Sequence, residues 1–176
     1  MIFTETKLKG AYIVDVERFE DVRGFFTRPW SEGEFAAHGL NSKIVETNLS
    51  FNLKAGTLRG MHFQMAPYAQ HKVVRCTAGA IYDVIIDVRP ESATFKQWAA
   101  AELTAENYRQ LYVPDGFAHG FQTLVDNSEV QYFMSSHYAP EYAQGVRWND
   151  PAFNIRWPEA ERTLIARDDS YPDFAG

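Results

Sequence analysis

Short runs rich in β-branched and aromatic residues, each closed by turn-forming residues, recur along most of this chain. Residues 11–16 (AYIVDV), 43–48 (KIVETN), 71–77 (HKVVRCT), 80–88 (AIYDVIIDV), 110–114 (QLYVP) and 129–138 (EVQYFMSSHY) carry the signal. Ala78-Gly79, Arg89-Pro90-Glu91-Ser92, Asp115-Gly116 and Asp126-Asn127-Ser128 separate them, and such residues turn a backbone. One short helix is expected over residues 32–38, where Ser31 and Glu34 have capping-box spacing and Gly39 can end it. A second helical turn is expected near residues 159–161. Many short strands with few helices predict a sandwich or barrel. The 176 residues, without internal repeats or a linker-like composition shift, suit a single domain over 1–176.

The run 80–88 alternates. Tyr82, Val84, Ile86 and Val88 share one face, and Ile81, Asp83, Ile85 and Asp87 the other. Two acids on an otherwise apolar face allow two readings. Either the face is half exposed and the acids are solvated, or Asp83 points into a barrel and orients a histidine.

Composition removes several classes. A net charge of −6 leaves no global basic field for nucleic acid, although a local basic pocket for a small anion is compatible with it. No apolar stretch reaches the length of a membrane span. Cys76 is the one cysteine, so an intramolecular disulfide and a cysteine-rich zinc site are both excluded. The first residues lack the shape of a signal peptide, and a cytoplasmic location is expected. Aromatic residues reach 15%, which favours strands and a pocket that stacks flat ligands.

Chemistry-bearing residues concentrate in four places. Residues 56–64 (GTLRGMHFQ) with Gln70-His71-Lys72 hold Arg59, His62 and Lys72 between strand-like runs. Residues 114–121 place His119 between small and aromatic neighbours, where a ligand can approach closely. Tyr132 and Tyr138 are six apart, which puts both on one face if the strand continues. Arg167-Asp168-Asp169 lies near the C-terminus. Each has a structural reading as well: a hydrogen-bonded histidine in a strand, tyrosines packing a core, a solvated tail.

The spacing P-x-G-x-x-H at Pro114 to His119 resembles the second motif of the cupin superfamily. Metal-binding cupins add H-x-H and a following Glu, and this chain reads His62-Phe63-Gln64. One histidine and a neutral amide replace His-His-Glu poorly, so no metal is expected. Free imidazoles remain available for proton transfer near neutral pH. With a lysine to stabilise an oxyanion, a tyrosine to return a proton and an aspartate to fix a histidine tautomer, the set suits proton abstraction beside a carbonyl without a cofactor.

Taken in order, residues 21–26 (DVRGFF), 56–64, 70–74 (QHKVV), 83–89 (DVIIDVR), 92–95 (SATF), 113–121 (VPDGFAHGF), 148–151 (WNDP) and 155–158 (IRWP) resemble the dTDP-4-dehydrorhamnose 3,5-epimerase family over nearly the whole chain. The resemblance implies a mainly β, cupin-type jelly roll (double-stranded β-helix) with a few short helices. It also implies a homodimer in which an N-terminal segment joins the neighbouring subunit. The implied substrate is a dTDP-linked 4-keto-6-deoxyhexose inverted at C3 and C5, with no cofactor. By motif position His62 is the base, Asp168 its partner with Asp169 as the alternative, Lys72 the enolate stabiliser and Tyr132 the acid. Arg59 meets the diphosphate, Arg23 and Phe26 hold the nucleotide, His119 lines the pocket with Asp83 orienting it, and Asn48 and Tyr138 complete the binding set. Arg59 and His62 are three apart, which opposes them on a regular strand; Gly60 between them predicts a bulge.

The chain departs from the family pattern at Glu46, where Gln is usual, at His71, where a small residue is usual, and at Phe51-Asn52, where a serine pattern and a shorter loop are usual. These sit at or near the expected cleft, so a mono-epimerase of a related deoxysugar stands as an alternative. A metal-dependent cupin and a non-catalytic sugar-nucleotide binding module are more distant ones.

Overall fold

The computed structural model describes residues 1–159 and 161–175. Among these, thirteen strands are β1 (Ile2–Glu5), β2 (Tyr12–Asp15), β3 (Phe19–Asp21), β4 (Gly24–Phe26), β5 (Glu46–Asn52), β6 (Leu58–Gln64), β7 (Lys72–Ala78), β8 (Ala80–Asp87), β9 (Trp98–Thr104), β10 (Gln110–Val113), β11 (Phe117–Thr123), β12 (Ser128–Met134) and β13 (Ala143–Gly145). The α-helices are α1 (Glu32–Ala37) and α2 (Ala166–Asp169), with a 3-10 turn at Pro140–Tyr142. A six-stranded sheet runs β1-β2-β10-β7-β12-β5 and a five-stranded sheet runs β13-β6-β11-β8-β9. Strands β3 and β4 form a separate hairpin. All paired strands are antiparallel, as the expected jelly roll requires.

The two sheets close on each other through their inner faces. Val74, Cys76, Leu111, Val113 and Val130 of the first meet Ile81, Ile85, Leu103, Phe117 and Phe121 of the second. Side chains of this size each contribute about 1.5–3 kcal/mol when fully buried. The outer face of the five-stranded sheet carries Val84 and Ile86, covered by Val146, Phe153, Trp157 and Phe174. The outer face of the other sheet packs Val14, Val73 and Tyr112 against Phe35 of α1. The alternation of 80–88 therefore divides β8 as expected, and it decides between the two readings of its acids. Asp83 and Asp87 are both fully buried. Asp87 accepts from Arg89, Ser92 and Thr94, whose hydrogen bonds outweigh burial and hold its carboxyl at about 2.

Several local expectations are corrected. The run 43–48 is not strand until Glu46, because Asn41 Oδ1 accepts the Lys43 N–H at 3.1 Å and turns the chain. Strand β12 stops at Met134, so Tyr138 does not share its face with Tyr132. The ladder ends there because the His71 N–H bonds the Ser135 hydroxyl, at 2.9 Å, in place of a backbone carbonyl. Helix α1 has no side-chain cap at Ser31. Glu34 instead accepts from the Met1 amino group at 2.8 Å. The helical turn expected at 159–161 includes Ala160, which lies outside the described residues. Among the described residues no helix is long and apolar enough to cross a membrane.

Candidate active site

Strand β6 is irregular for a reason written in two glycines. A Cβ on Gly60 would lie 2.6 Å from Gly120 Cα, and one on Gly120 would lie 2.6 Å from the Arg59 carbonyl. Only glycine allows β6 and β11 to approach this closely. Gly60 also takes a φ of +115°, which disfavours any side chain. The register slips here: His119 pairs with His62, but Phe121 pairs with Arg59. Three steps on β6 thus oppose two on β11, which is the bulge expected from sequence. It turns both Arg59 and His62 into the space between the sheets.

That space is a cavity of about 420 Å³, lined by Asn48, Ser50, Arg59, His62, Lys72, His119, Tyr132, Met134, Asp168 and the segment from Thr163 to Ile165. Asn48 and Tyr132 are cross-strand partners on β5 and β12, and so are Met134 and Lys72 on β12 and β7. The six-stranded sheet therefore supplies Asn48, Tyr132 and Lys72. The five-stranded sheet supplies Arg59, His62 and His119 opposite them.

His62 Nε2 lies 2.7 Å from Asp168 Oδ1. The other Asp168 oxygen accepts the Gly60 N–H at 3.0 Å. Burial would raise the Asp168 carboxyl, but the bonds from His62 and Gly60 prevail and hold it below the usual range. With Nε2–H given to this carboxylate, Nδ1 of His62 carries the free lone pair. Asp169 is turned elsewhere and accepts from Trp148 Nε1 at 3.0 Å. His119 Nε2 lies 2.7 Å from Asp83 Oδ1. Burial pushes His119 below the ordinary histidine value despite the nearby carboxylate.

Lys72 is 7% exposed, and its ammonium reaches the His62 carbonyl at 3.3 Å. Burial draws it down to about 8, against the opposing pull of Asp83. Burial also raises the Tyr132 phenol well above its ordinary value, so it stands protonated at neutral pH. Its ring lies 6.1 Å from that of His119, edge to face. Arg59 Nε donates to Asn52 Oδ1 at 2.7 Å, which aims the guanidinium along the cavity wall.

Tyr138 lines an adjoining crevice of about 180 Å³ that shares His62 and Lys72 with the main cavity. The structure does not bring Arg23 and Phe26 to this cavity within one chain. Both lie on or beside the β3–β4 hairpin, where Arg23 pairs with Asp21 at 2.6 Å and is 86% exposed. Sequence reasoning missed the Thr163–Leu164–Ile165 wall. Thr163 docks beside Gly56 and Leu58 through backbone bonds of 3.1 and 2.9 Å, a long-range pairing with no local signal. It also missed Asn52, although its place in the departing loop was a pointer. Among the described residues no three or more His, Cys, Asp or Glu side chains gather as metal ligands do.

The arrangement offers a base fixed in one tautomer, a cation near the base and a protonated phenol on the facing sheet. Known proteins resemble the chain over nearly its whole length. A family model described as dTDP-4-dehydrorhamnose 3,5-epimerase matches residues 5–176. A relative of that name from Sinorhizobium fredii is 39% identical over 170 residues, covering 97% of this chain and 87% of its own. The crystal structure of the Elizabethkingia anophelis enzyme of that name superposes with a TM-score of 0.96 at 40% identity, over 99% of this chain and 96% of the other. The Bacillus anthracis enzyme of that name, solved with TDP and PPi bound, gives a TM-score of 0.94 at 42% identity, over 98% and 99%.

Proposed function

The chain belongs to the dTDP-4-dehydrorhamnose 3,5-epimerase family, and we propose that it inverts C3 and C5 of dTDP-4-dehydro-6-deoxy-D-glucose without a cofactor. The observation that carries this reading is the His62–Asp168 pair at 2.7 Å on a cavity faced by Lys72 and Tyr132. The C4 carbonyl acidifies the protons on C3 and C5. His62 Nδ1 removes one, and Asp168 supports the imidazolium that results. Lys72 donates to the oxygen as the enolate forms, where a fixed donor is worth about 3–4 kcal/mol of barrier. Tyr132 returns a proton from the facing sheet, so the carbon is reprotonated on the face opposite the base. Arg59 has the fork geometry that suits a diphosphate.

Arg23 and Phe26 enter as the contribution of a second copy. The hairpin that carries them exposes Phe19, Val22 and Phe26, a surface suited to a neighbouring chain. We read the cytoplasmic enzyme as a homodimer in which each hairpin closes the other subunit's cavity. Mixing Arg23→Ala and His62→Ala chains then restores activity, because one mixed site holds both native residues. Failure to restore it would place Arg23 outside the site.

The reaction is tested by proton NMR with dTDP-4-keto-6-deoxyglucose in D₂O. Deuterium entering both C3 and C5 is the expected result. Exchange at one carbon makes the protein a mono-epimerase, and exchange at neither overturns the reading.

A further inference from the structure

Gln64 lies two residues beyond His62 on β6, is 5% exposed, and has no part in the chemistry above. Its amide is nevertheless fully engaged. Nε2 donates to the Tyr68 carbonyl at 2.8 Å and the His137 carbonyl at 3.1 Å. Oε1 accepts the Ala139 N–H at 2.8 Å. His137 and Ala139 flank Tyr138, so one side chain pins the backbone on both sides of that residue. The rest of the segment is held from outside in the same way. Gln70 Nε2 donates to the Ser136 carbonyl at 3.2 Å, and Glu46 Oε1 hydrogen-bonds His137 Nδ1 at 2.8 Å. Tyr138 itself is 59% exposed and lines the crevice beside His62 and Lys72. Its hydroxyl meets Arg167 at one end, and an exposed ring on an irregular segment keeps its position through a fixed backbone at the other.

We propose that Gln64 is a positioning residue: its amide fixes Tyr138 as the outer wall of the substrate site, so binding of the sugar nucleotide depends on Gln64 through Tyr138. This rests on the reading of the cavity as an epimerase site. Removing the amide orphans the His137 carbonyl and the Ala139 N–H beside Tyr138, together with the Tyr68 carbonyl, which loosens that wall and leaves the His62–Asp168 pair intact.

Gln64→Met keeps the volume and removes all three bonds. It is expected to raise KM about tenfold and to leave kcat within about twofold of wild type. Tyr138→Ala is expected to raise KM similarly. Adding Gln64→Met to Tyr138→Ala is then expected to change KM by less than about twofold, because the wall that Gln64 holds is already gone. A purely structural glutamine gives effects that multiply in the double variant, or a fall in kcat, and either result overturns the proposal. So does an unchanged KM in Gln64→Met. The unaltered protein provides a second readout if Gln64→Met does not fold. Hydrogen exchange at the Ala139 N–H is expected to slow about fivefold or more with saturating dTDP, and unchanged exchange overturns the proposal. If the wild-type protein turns over no 4-keto sugar, the functional reading fails while this exchange measurement still decides the role of Gln64.

Discussion

His62 and His119 face each other on one rung of the β6–β11 ladder, and each puts Nε2 at 2.7 Å from an aspartate oxygen. By local chemistry they are the same pair twice. Their surroundings differ in every respect that matters to a proton. The His62 side chain is 37% exposed and opens on the cavity, while that of His119 is 4% exposed. Asp168 has its second oxygen held by the Gly60 N–H, whereas the second oxygen of Asp83 is buried without a hydrogen-bond partner among the described residues. Burial lowers His119 and keeps it neutral. An accessible ring backed by an anchored carboxylate can take a proton and be held as a cation. A sealed ring beside a sealed carboxylate is a wall, and the carboxylate's charge reaches Lys72 as well as His119.

The largest expected effect separates the two histidines. His62→Ala is expected to lower kcat by about 10³–10⁴-fold with the fold kept, the upper part of the range for an acid–base group. His119→Asn is expected to cost about tenfold or less, mostly in KM, because it alters the wall of the cavity. Equal losses in steady-state kinetics would erase the distinction. Asp168→Asn comes next. The amide keeps one acceptor oxygen for the Gly60 N–H, so its NH2 faces His62 Nε2 and favours the tautomer with Nδ1 protonated; the base is lost and kcat is expected to fall about 10²-fold. Asp169→Asn is expected to be nearly silent in the same assay, since its carboxylate faces Trp148.

The contrast also shows what a sequence can and cannot make legible. Strands β7, β8 and β10 sit where β-branched runs predicted them, because core packing and local propensity agree there. Strands β6 and β11 carry Arg, Gly, His and Gln in place of such residues. The site replaces the very residues that would announce a strand, so neither stands out among the β-branched runs. Strand β9 was missed for another reason: its run of alanines gives weak β-propensity, and pairing with β8 supplies the order. The bulge at Gly60 was readable once the resemblance had put Arg59 and His62, three apart, in one site. The site residues came from motif resemblance, and the structure brings all but Arg23 and Phe26 to the cavity or its adjoining crevice. Burial separated the two readings of Asp83, and the contact with His62 separated Asp168 from Asp169; no spacing encodes either.

The smallest effect is the sharpest test of the buried pair. Burial brings Lys72 to about 8 while Asp83 pulls the other way by favouring the ammonium. As pH rises through this region Lys72 loses its proton, the proposed enolate donor is lost, and kcat is expected to decline. Asp83→Asn keeps an oxygen that accepts from His119 Nε2, so the packing survives, but it removes the charge that sustains the ammonium. The basic limb of the kcat profile is therefore expected to move to lower pH, with a loss of about two- to threefold at pH 8.5 and little change at pH 6.5. Lys72→Arg is expected to move that limb the opposite way, since a guanidinium stays charged throughout. If Asp168→Asn shifts the basic limb and Asp83→Asn does not, then the exposed pair governs it, and the buried pair is a structural rung with no electrostatic hold on the lysine.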